Sequence, residues 1–388
     1  MPEAVIVDVV RTPSGRGKPG GALSGVHPAD LLAGVLEALV TRNDLDPAMV
    51  DDVIGGCVSQ AGEQTFNITR SALLGAGFPD SVPGTTIDRQ CGSSQQAATF
   101  AAQGIMTGQY DIAIACGVES MSRVPLGSSS GSRNPYGERM AARYPDGLVS
   151  QGVSAELIAQ KWGLDRHTLD AFSYRSHRLA ADATERGDFM HEIVPVGEVL
   201  RDETIRDTTT VDGLAGLNPA FRTDELAARF PQLDWRITAG NSSPLTDGAS
   251  GALIMSAERA AALKLTPRAR FLSFAVTGSD PIFMLTGVIP ATRKVLERAS
   301  LTIDDMDAYE VNEAFASVPL AWQHDLDADP DRLNPWGGAI ALGHALGSSG
   351  TRLLATLVNY LESSGGRYGL QTMCEGGGMA NATVIERM

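Results

Sequence analysis

One cysteine stands where a short β-branched segment runs into a predicted helix. In TIDRQCGSSQQAATFAAQG, Cys91 is followed by a glycine, two serines and an Ala- and Gln-rich run typical of a helix. The thiolate is the reactive form of cysteine, and a helix N-terminus favours negative charge. Cys91 is therefore a candidate nucleophile, and the alternative is a small hydrophobic core residue.

A histidine near the C-terminus has glycines on both sides. The stretch NPWGGAIALGHALGSSGTR holds His344 on a constrained loop just before a predicted helix. Glycines permit close backbone approach there, and a histidine so placed is suited to accept a proton from a thiol. The alternative is a loop histidine that bonds only to the backbone.

Two further candidates follow predicted strands. Cys374 lies at a strand end before EGGG, where free glycine amides would donate to an oxyanion, as acyl transfer requires. Asn312 follows a strand that ends at Val311, a position that commonly faces a site in α/β folds. The alternatives are a core cysteine and an ordinary helix N-cap.

Other motif matches are weaker. GSSSG at residues 127–131 fits the hydrolase pattern GxSxG without its strand–turn–helix context, so we predict a flexible loop. Cys57 is predicted to be structural, and His167, His177 and His191 lie in polar helical patterns that predict exposure to solvent. No CxxC pair or Cys/His cluster suggests a metal, so we expect no metal site.

The elements that must position these residues alternate between short apolar runs and Ala/Leu-rich helical patterns. AVIVDVV precedes PADLLAGVLEALVTR, and VDDVIGGCV precedes NITRSALLGAG. Such alternation predicts an α/β fold in which helices cover sheets. From about Glu119 to Thr246 the pattern loosens and includes two polar helices, which indicates an inserted region.

The chain also contains an internal repeat of one spacing. Cys116, at a predicted strand end, follows Cys91 by 25 residues, and Cys374 follows Ser349 by the same number. Both Cys91 and Ser349 open a predicted helix. The match suggests two halves built on one plan, which would place equivalent loops around one cleft.

Composition narrows the classes of partner. The 388 residues, 43% hydrophobic and 20% charged, indicate a soluble protein of two or three domains. A net charge of −15 argues against nucleic acid and anionic membranes as partners. The four cysteines do not form a disulfide framework, and no apolar run reaches the ~18 residues of a membrane span. We expect a cytoplasmic protein.

Six segments resemble the thiolase family and follow its order. They are RTPSGRGKPGGALSG, CGSSQQA, ITAGNSSPLTDGASGAL, NEAFA, GGAIALGHALGSSGTR and CEGGG. The resemblance covers nearly the whole chain and implies two similar βαβαβαββ halves in five layers, αβαβα, with an inserted loop domain. The N-terminal half is then 1–118 with 247–267, the loop domain 119–246, and the C-terminal half 268–388.

The resemblance assigns catalytic roles. Cys91 matches the nucleophile that attacks the 3-keto carbon and becomes acylated, and His344 matches the base that activates it. Cys374 matches the acid/base that exchanges a proton with the α-carbon of acetyl-CoA. Asn312 matches the residue that holds a water in the first oxyanion hole. The amides of Cys91 and Gly376 match the second hole.

The resemblance also implies the substrate and its tunnel. The activity would be that of a 3-ketoacyl-CoA thiolase or an acetyl-CoA acetyltransferase, with coenzyme A as a substrate and no cofactor. Ser243, Ala314 and Phe315 match positions that line the pantetheine tunnel. We expect a homodimer or a homotetramer.

Three departures from the family pattern refine the expectation. Ala345 replaces the proline after the motif histidine, and Asn218 replaces an arginine expected near CoA. SQGVSAE replaces the His-Met-Gly that marks short-chain biosynthetic enzymes. We therefore favour a degradative enzyme for longer or bulkier acyl chains. The alternatives are an acetoacetyl-CoA-forming enzyme, a ketoacyl synthase and a non-catalytic acyl-CoA or lipid-binding protein.

Overall fold

The computed structural model describes residues 2–131 and 133–388. In this part of the chain there are ten strands: β1 (Ala4–Arg11), β2 (Gly15–Arg16), β3 (Asp52–Gly56), β4 (Gly84–Ile87), β5 (Ile112–Ser120), β6 (Thr246–Ser256), β7 (Ala269–Gly278), β8 (Ala308–Val311), β9 (Tyr368–Glu375) and β10 (Met379–Arg387). The strand predicted at the N-terminus and the strand end predicted at Val311 are both confirmed.

The same residues form thirteen α-helices: α1 (Pro28–Arg42), α2 (Ile68–Gly75), α3 (Ser93–Met106), α4 (Glu138–Arg143), α5 (Gln151–Lys161), α6 (Arg166–Arg186), α7 (Val211–Ala215), α8 (Asp224–Arg229), α9 (Ala257–Leu263), α10 (Val288–Ala299), α11 (Ser317–Leu326), α12 (Ala339–Leu342) and α13 (Ser349–Ser364). The two polar helices expected between Glu119 and Thr246 are α5 and α6.

The N-terminal half is a five-stranded sheet in the order β4-β3-β5-β6-β1, with β2 added to β6. β3 pairs parallel with β4 and β5, and β6 pairs antiparallel with β5 and β1. The chain order is β1-α1-β3-α2-β4-α3-β5 and, after the insert, β6. This half therefore has the expected βαβαβαββ order.

The C-terminal half repeats this plan with one strand fewer. Its order β7-β10-β9-β8 matches β1-β6-β5-β3, again with antiparallel pairs and one parallel pair. At the place of β4 there is a single parallel bridge between Tyr309 and Leu333. Pro330 and the short 3₁₀ turn at 330–332 precede Leu333 and leave no room for a longer ladder.

The two sheets are joined at β1 and β7 by only two antiparallel residue pairs. α3 and α13 pack between the sheets in an alanine- and leucine-rich core. α1 and α2 cover the outer face of the N-terminal sheet, and α10 and α11 cover that of the C-terminal sheet. These are the five layers αβαβα.

The two central helices meet at their N-termini. The amide of Thr351 donates to Oγ of Ser94 over 3.0 Å. A Cβ at Gly350 would overlap the backbone nitrogen of Gln95, so only glycine permits this approach. The close crossing brings the residues just before α3 and α13, Cys91 and His344, to one place.

Residues between β5 and β6 carry α4 to α8 and pack over the C-terminal half. Ser176 on α6 donates to Glu313 over 2.7 Å, and Trp336 packs edge-on against Phe189. The boundaries at residues 118, 246 and 267 stay predictions.

Candidate active site

A sharp turn presents Cys91 at the start of α3. Gln90 has a φ of 50°, a left-handed conformation that is uncommon outside glycine. Asp88 accepts the Gln90 amide over 2.6 Å. Ser93 accepts from the Arg89 amide over 2.9 Å and donates to the Gln90 carbonyl over 2.6 Å. Three hydrogen bonds therefore hold a backbone conformation that would otherwise be unfavourable.

His344 is oriented by its neighbours on both sides. Its backbone amide donates to Oγ1 of Thr246 over 2.9 Å. Its Nδ1 lies 2.6 Å from Oγ of Ser349, which itself donates to the carbonyl of Ala345 over 2.8 Å. Because the serine proton is used there, Nδ1 carries the ring proton and Nε2 is unprotonated and acts as an acceptor. His344 is thus prepared as a base at Nε2.

Asn312 lies on the Nε2 side of this ring. Its Nδ2 is 3.4 Å from Nε2 of His344. Its Oδ1 is buried and has no hydrogen-bond partner among residues 2–131 and 133–388. Asn312 is not a helix N-cap, because α11 begins at Ser317. The alternative that Asn312 merely caps a helix is therefore wrong.

A cavity of about 320 Å³ opens beside these groups. Cys91 and His344 line it together with all three predicted tunnel residues, Ser243, Ala314 and Phe315. Most other wall residues are apolar: Met121, Leu126, Phe221, Pro244, Leu245 and Leu346. This volume lies at the lower end of the ~300–1,000 Å³ range for small-molecule sites.

Cys374 and Gly376 lie beside Cys91 and outside the wall of this cavity. Cys374 is fully buried; burial raises the pKa of its thiol, and the charge of a Cys91 thiolate raises it further. Gly376 faces the Cys91 turn, because a Cβ there would lie 2.8 Å from Oε1 of Gln90. The fold thus brings the predicted residues together, while their individual roles stay predictions.

Burial keeps the reactive groups neutral. It raises the pKa of the Cys91 thiol to about 12, with the Glu375 carboxylate as the next cause and a hydrogen bond from Gln151 acting in the opposite direction. It also lowers the pKa of His344 to about 3, and the Arg352 cation adds to this shift. The free site therefore holds a thiol and an uncharged imidazole.

Some supporting residues carry no clear signal in the sequence. Glu119 accepts the amides of Ser59 and Gly347, each over 2.9 Å, and so ties the His344 loop to the N-terminal half. Gln151 reaches Cys91 from the insert. In the sequence, Ser349 is marked only as the counterpart of Cys91 in the internal repeat. That correspondence is the one sequence signal for the place of Ser349 in the site.

One histidine prediction is wrong. His177 is only 3% exposed, and its Nδ1 accepts the amide of Arg206 over 3.2 Å. The polar pattern of α6 is misleading because the insert packs this face against 205–206. His167 and His191 are exposed, as predicted, and Cys57 is buried. The 127–131 segment is a 3₁₀ turn between two glycines of positive φ.

Two further features of the described residues concern metals and membranes. Residues 2–131 and 133–388 contain no group of three or more His, Cys, Asp or Glu side chains that could hold a metal ion. None of their helices is both long enough and apolar enough to cross a membrane.

Comparisons with known proteins agree with this architecture. Residues 4–258 match the model of the thiolase N-terminal domain, and residues 265–387 match that of the thiolase C-terminal domain. The chain is 46% identical to the steroid 3-ketoacyl-CoA thiolase FadA6 of Mycobacterium tuberculosis, over all of this chain and 95% of that protein. It is 44% identical to the 3-ketoacyl-CoA thiolase of Aliivibrio salmonicida over the full length of both.

A solved structure shows the same fold. The acetyl-CoA acetyltransferase of Bacillus anthracis superposes with a TM-score of 0.89 at 37% identity, covering all of this chain and 99% of that one. The expected fold of two similar halves with an insert is thereby confirmed. Matching models over both halves and full-length relatives lead to one conclusion: the chain belongs to the thiolase family.

Proposed function

We propose that the protein is an acyltransferase that cleaves 3-ketoacyl-CoA with coenzyme A, giving acetyl-CoA and a shortened acyl-CoA. The observation that carries this proposal is the placement of Cys91 and His344 on one apolar cavity. Ser349 sets the tautomer that leaves Nε2 of His344 free to accept a proton. A thiol and an oriented base at a cavity are what nucleophilic acyl transfer requires.

In the first half-reaction Sγ of Cys91 bonds to the 3-keto carbon, and its proton passes to Nε2 of His344. The bond between C2 and C3 then breaks, and the departing enolate of acetyl-CoA takes a proton at its α-carbon from the Cys374 thiol. The amides of Cys91 and Gly376 stabilise the negative charge on the thioester oxygen.

In the second half-reaction the thiol of coenzyme A gives its proton to Cys374, and its sulfur bonds to the acyl carbon on Cys91. The bond between that carbon and Sγ breaks, which frees the shortened acyl-CoA, and Sγ recovers its proton from His344. Every proton is accounted for by these groups, so the proposal includes no cofactor beyond CoA as a substrate. The microscopic steps are reversible.

The degradative direction is supported by the names of the relatives, which are 3-ketoacyl-CoA thiolases. An acetoacetyl-CoA-forming role is less favoured, because the apolar cavity walls suit an acyl group longer than acetyl. A ketoacyl synthase would need a second histidine, and His344 is the one histidine on the cavity within the described residues. A role in binding alone does not explain why Ser349 orients His344 so that its Nε2 can accept a proton.

The experiment is acylation with and without the acceptor. The protein is incubated with a 3-ketoacyl-CoA, and mass spectrometry locates the acyl group; addition of CoA should release it as acyl-CoA. Acylation at a residue other than Cys91, or no loss of 3-ketoacyl-CoA in the presence of CoA, would overturn the proposal. Cys91→Ser is the control.

To determine which acyl group the protein prefers, kcat/KM is compared among short, long and ring-bearing 3-ketoacyl-CoA substrates. We expect longer or bulkier chains to be preferred over acetoacetyl-CoA, since the wall residues are apolar. The homodimeric or homotetrameric assembly and the cytoplasmic location belong to the same proposal and are tested by light scattering and by fractionation of cells.

A further inference from the structure

Glu375 is a buried carboxyl that the proposed reaction does not use. It is the last residue of β9 and is fully buried. Neither of its carboxyl oxygens has a hydrogen-bond partner among residues 2–131 and 133–388. A Cβ at Gly92 would overlap its Oε1, so the carboxyl lies directly against the residue that follows Cys91.

The groups around this carboxyl favour its neutral form. Nδ2 of Asn381 donates to the carbonyl of Gly92 over 3.0 Å, which places the Asn381 side chain on the same side of Gly92. Oδ1 of Asn381 is also buried and has no hydrogen-bond partner in the described part of the chain. Two neighbouring acceptor groups without a donor are unfavourable, and a carboxylic acid supplies the missing O–H donor where a carboxylate cannot.

Burial and two neighbouring charged groups shift the pKa of Glu375. Burial raises its pKa to about 8, the Arg89 cation opposes this shift, and Asp88 adds to it. Across the site, burial raises the pKa of both Cys91 and Cys374, and the Glu375 carboxylate is a further cause for each. Glu375 and the two thiols therefore compete to be ionised in one small volume.

We propose that Glu375 is a positioning residue for Cys91: as a neutral acid it leaves the positive N-terminal end of α3 to the Cys91 thiolate, and as an anion it opposes that thiolate. α3 has 14 residues, and its field falls off within the first turn, where both groups lie. Glu375 exchanges no proton with the substrate. The inference rests on the proposed function of Cys91 as the nucleophile.

The test is alkylation of Cys91 by iodoacetamide in the folded protein without substrate, followed by peptide mass spectrometry over about pH 6.5 to 9.5. In the wild type the alkylation rate of Cys91 should rise tenfold per pH unit both below and above pH 8. Near pH 8, where Glu375 ionises, the plot of log rate against pH should step down to a parallel line of lower rate. In Glu375→Gln the step should be absent. The variant should then react like the wild type below the step and about tenfold faster above it, as for a shift of one pKa unit.

Glu310→Gln is the matched control. Glu310 is also buried with a pKa raised to about 8, but it lies on β8 and is not among the causes that act on the Cys91 thiol. This variant should keep the step. A step that persists in Glu375→Gln, or that disappears in Glu310→Gln, would overturn the proposal.

Two further readouts keep the test decisive. If Glu375→Gln fails to fold, the wild-type profile alone decides, because an unbroken tenfold rise per unit rules out a titrating neighbour. Thiolysis by the wild type is measured separately, so a failed thiolase assignment is distinguished from a failed role of Glu375.

Discussion

Oγ of Ser349 lies 2.6 Å from Nδ1 of His344 and donates its own proton to the carbonyl of Ala345. The histidine must therefore donate from Nδ1 and accept at Nε2, the atom that faces Asn312. Ser349 occupies in the C-terminal half the place that Cys91 occupies in the N-terminal half. One repeat position thus supplies the nucleophile, and its counterpart orients the base.

Ser349→Ala should lower kcat by about 10- to 100-fold, since the ring loses the partner that selects its tautomer. KM for CoA should change little, because Ser349 does not line the cavity. The measurement is steady-state thiolysis. Ser363→Ala, at an exposed position of the same helix, is the control and should behave like the wild type.

The two cysteines should separate into two half-reactions. Cys91→Ser should abolish the acyl-enzyme, and Cys374→Ala should still allow slow acylation but block exchange of the α-protons of acetyl-CoA. NMR in deuterated buffer measures the exchange. Normal exchange in Cys374→Ala would contradict its assignment as the acid/base.

The crossing of the central helices depends on Gly350. Gly350→Ala should lower the free energy of unfolding by about 1–3 kcal/mol, because the new methyl group overlaps the backbone of Gln95. Gly34→Ala, in α1 with open space around it, should instead stabilise the protein by about 0.5–1 kcal/mol. Denaturant unfolding of both variants gives the comparison.

The cavity width depends on Gly152. A Cβ there would overlap the ring of Phe221, which also packs edge-on against Phe315 at 5.8 Å between ring centroids. Gly152→Ala should push the ring and narrow the cavity, so kcat/KM for bulky acyl chains should fall more than that for acetoacetyl-CoA. Gly137→Ala, with no atom within 4 Å, should leave the ratio unchanged.

Buried His177 should make the protein sensitive to acid. Burial lowers its pKa from 6.5 to about 4, with Arg206 as a second cause. Between these values the unfolded chain binds more protons, so the stability contribution is present above pH 6.5 and is lost as the pH falls towards 4.

His177→Asn keeps an acceptor for the Arg206 amide and removes the titration. Its loss of unfolding free energy between about pH 7 and 4.5 should be smaller than that of the wild type by about 2 kcal/mol. Urea unfolding at both pH values measures this. The exposed His167→Asn on the same helix should show the wild-type loss, and an equal loss in both variants would contradict the prediction.

Local patterns were enough to predict several features of this protein. The alternation of apolar runs and helical patterns predicts layers of helices on sheets, and the repeated 25-residue spacing predicts two equivalent halves. The motif residues Cys91, His344 and Asn312 can be found because glycines and strand ends mark constrained backbone. These features depend on residues close to one another in the chain, where propensity and spacing act directly.

Contacts between distant segments were decided by tertiary packing. The hydrogen bond from the Gly347 amide to Glu119 and the contact of Glu375 with Gly92 both join segments that lie far apart in the chain. The burial of His177 also arises from packing. The order of residues thus defines which groups are available for chemistry. The fold sets their protonation, because burial and neighbouring charges come from segments far apart in the chain.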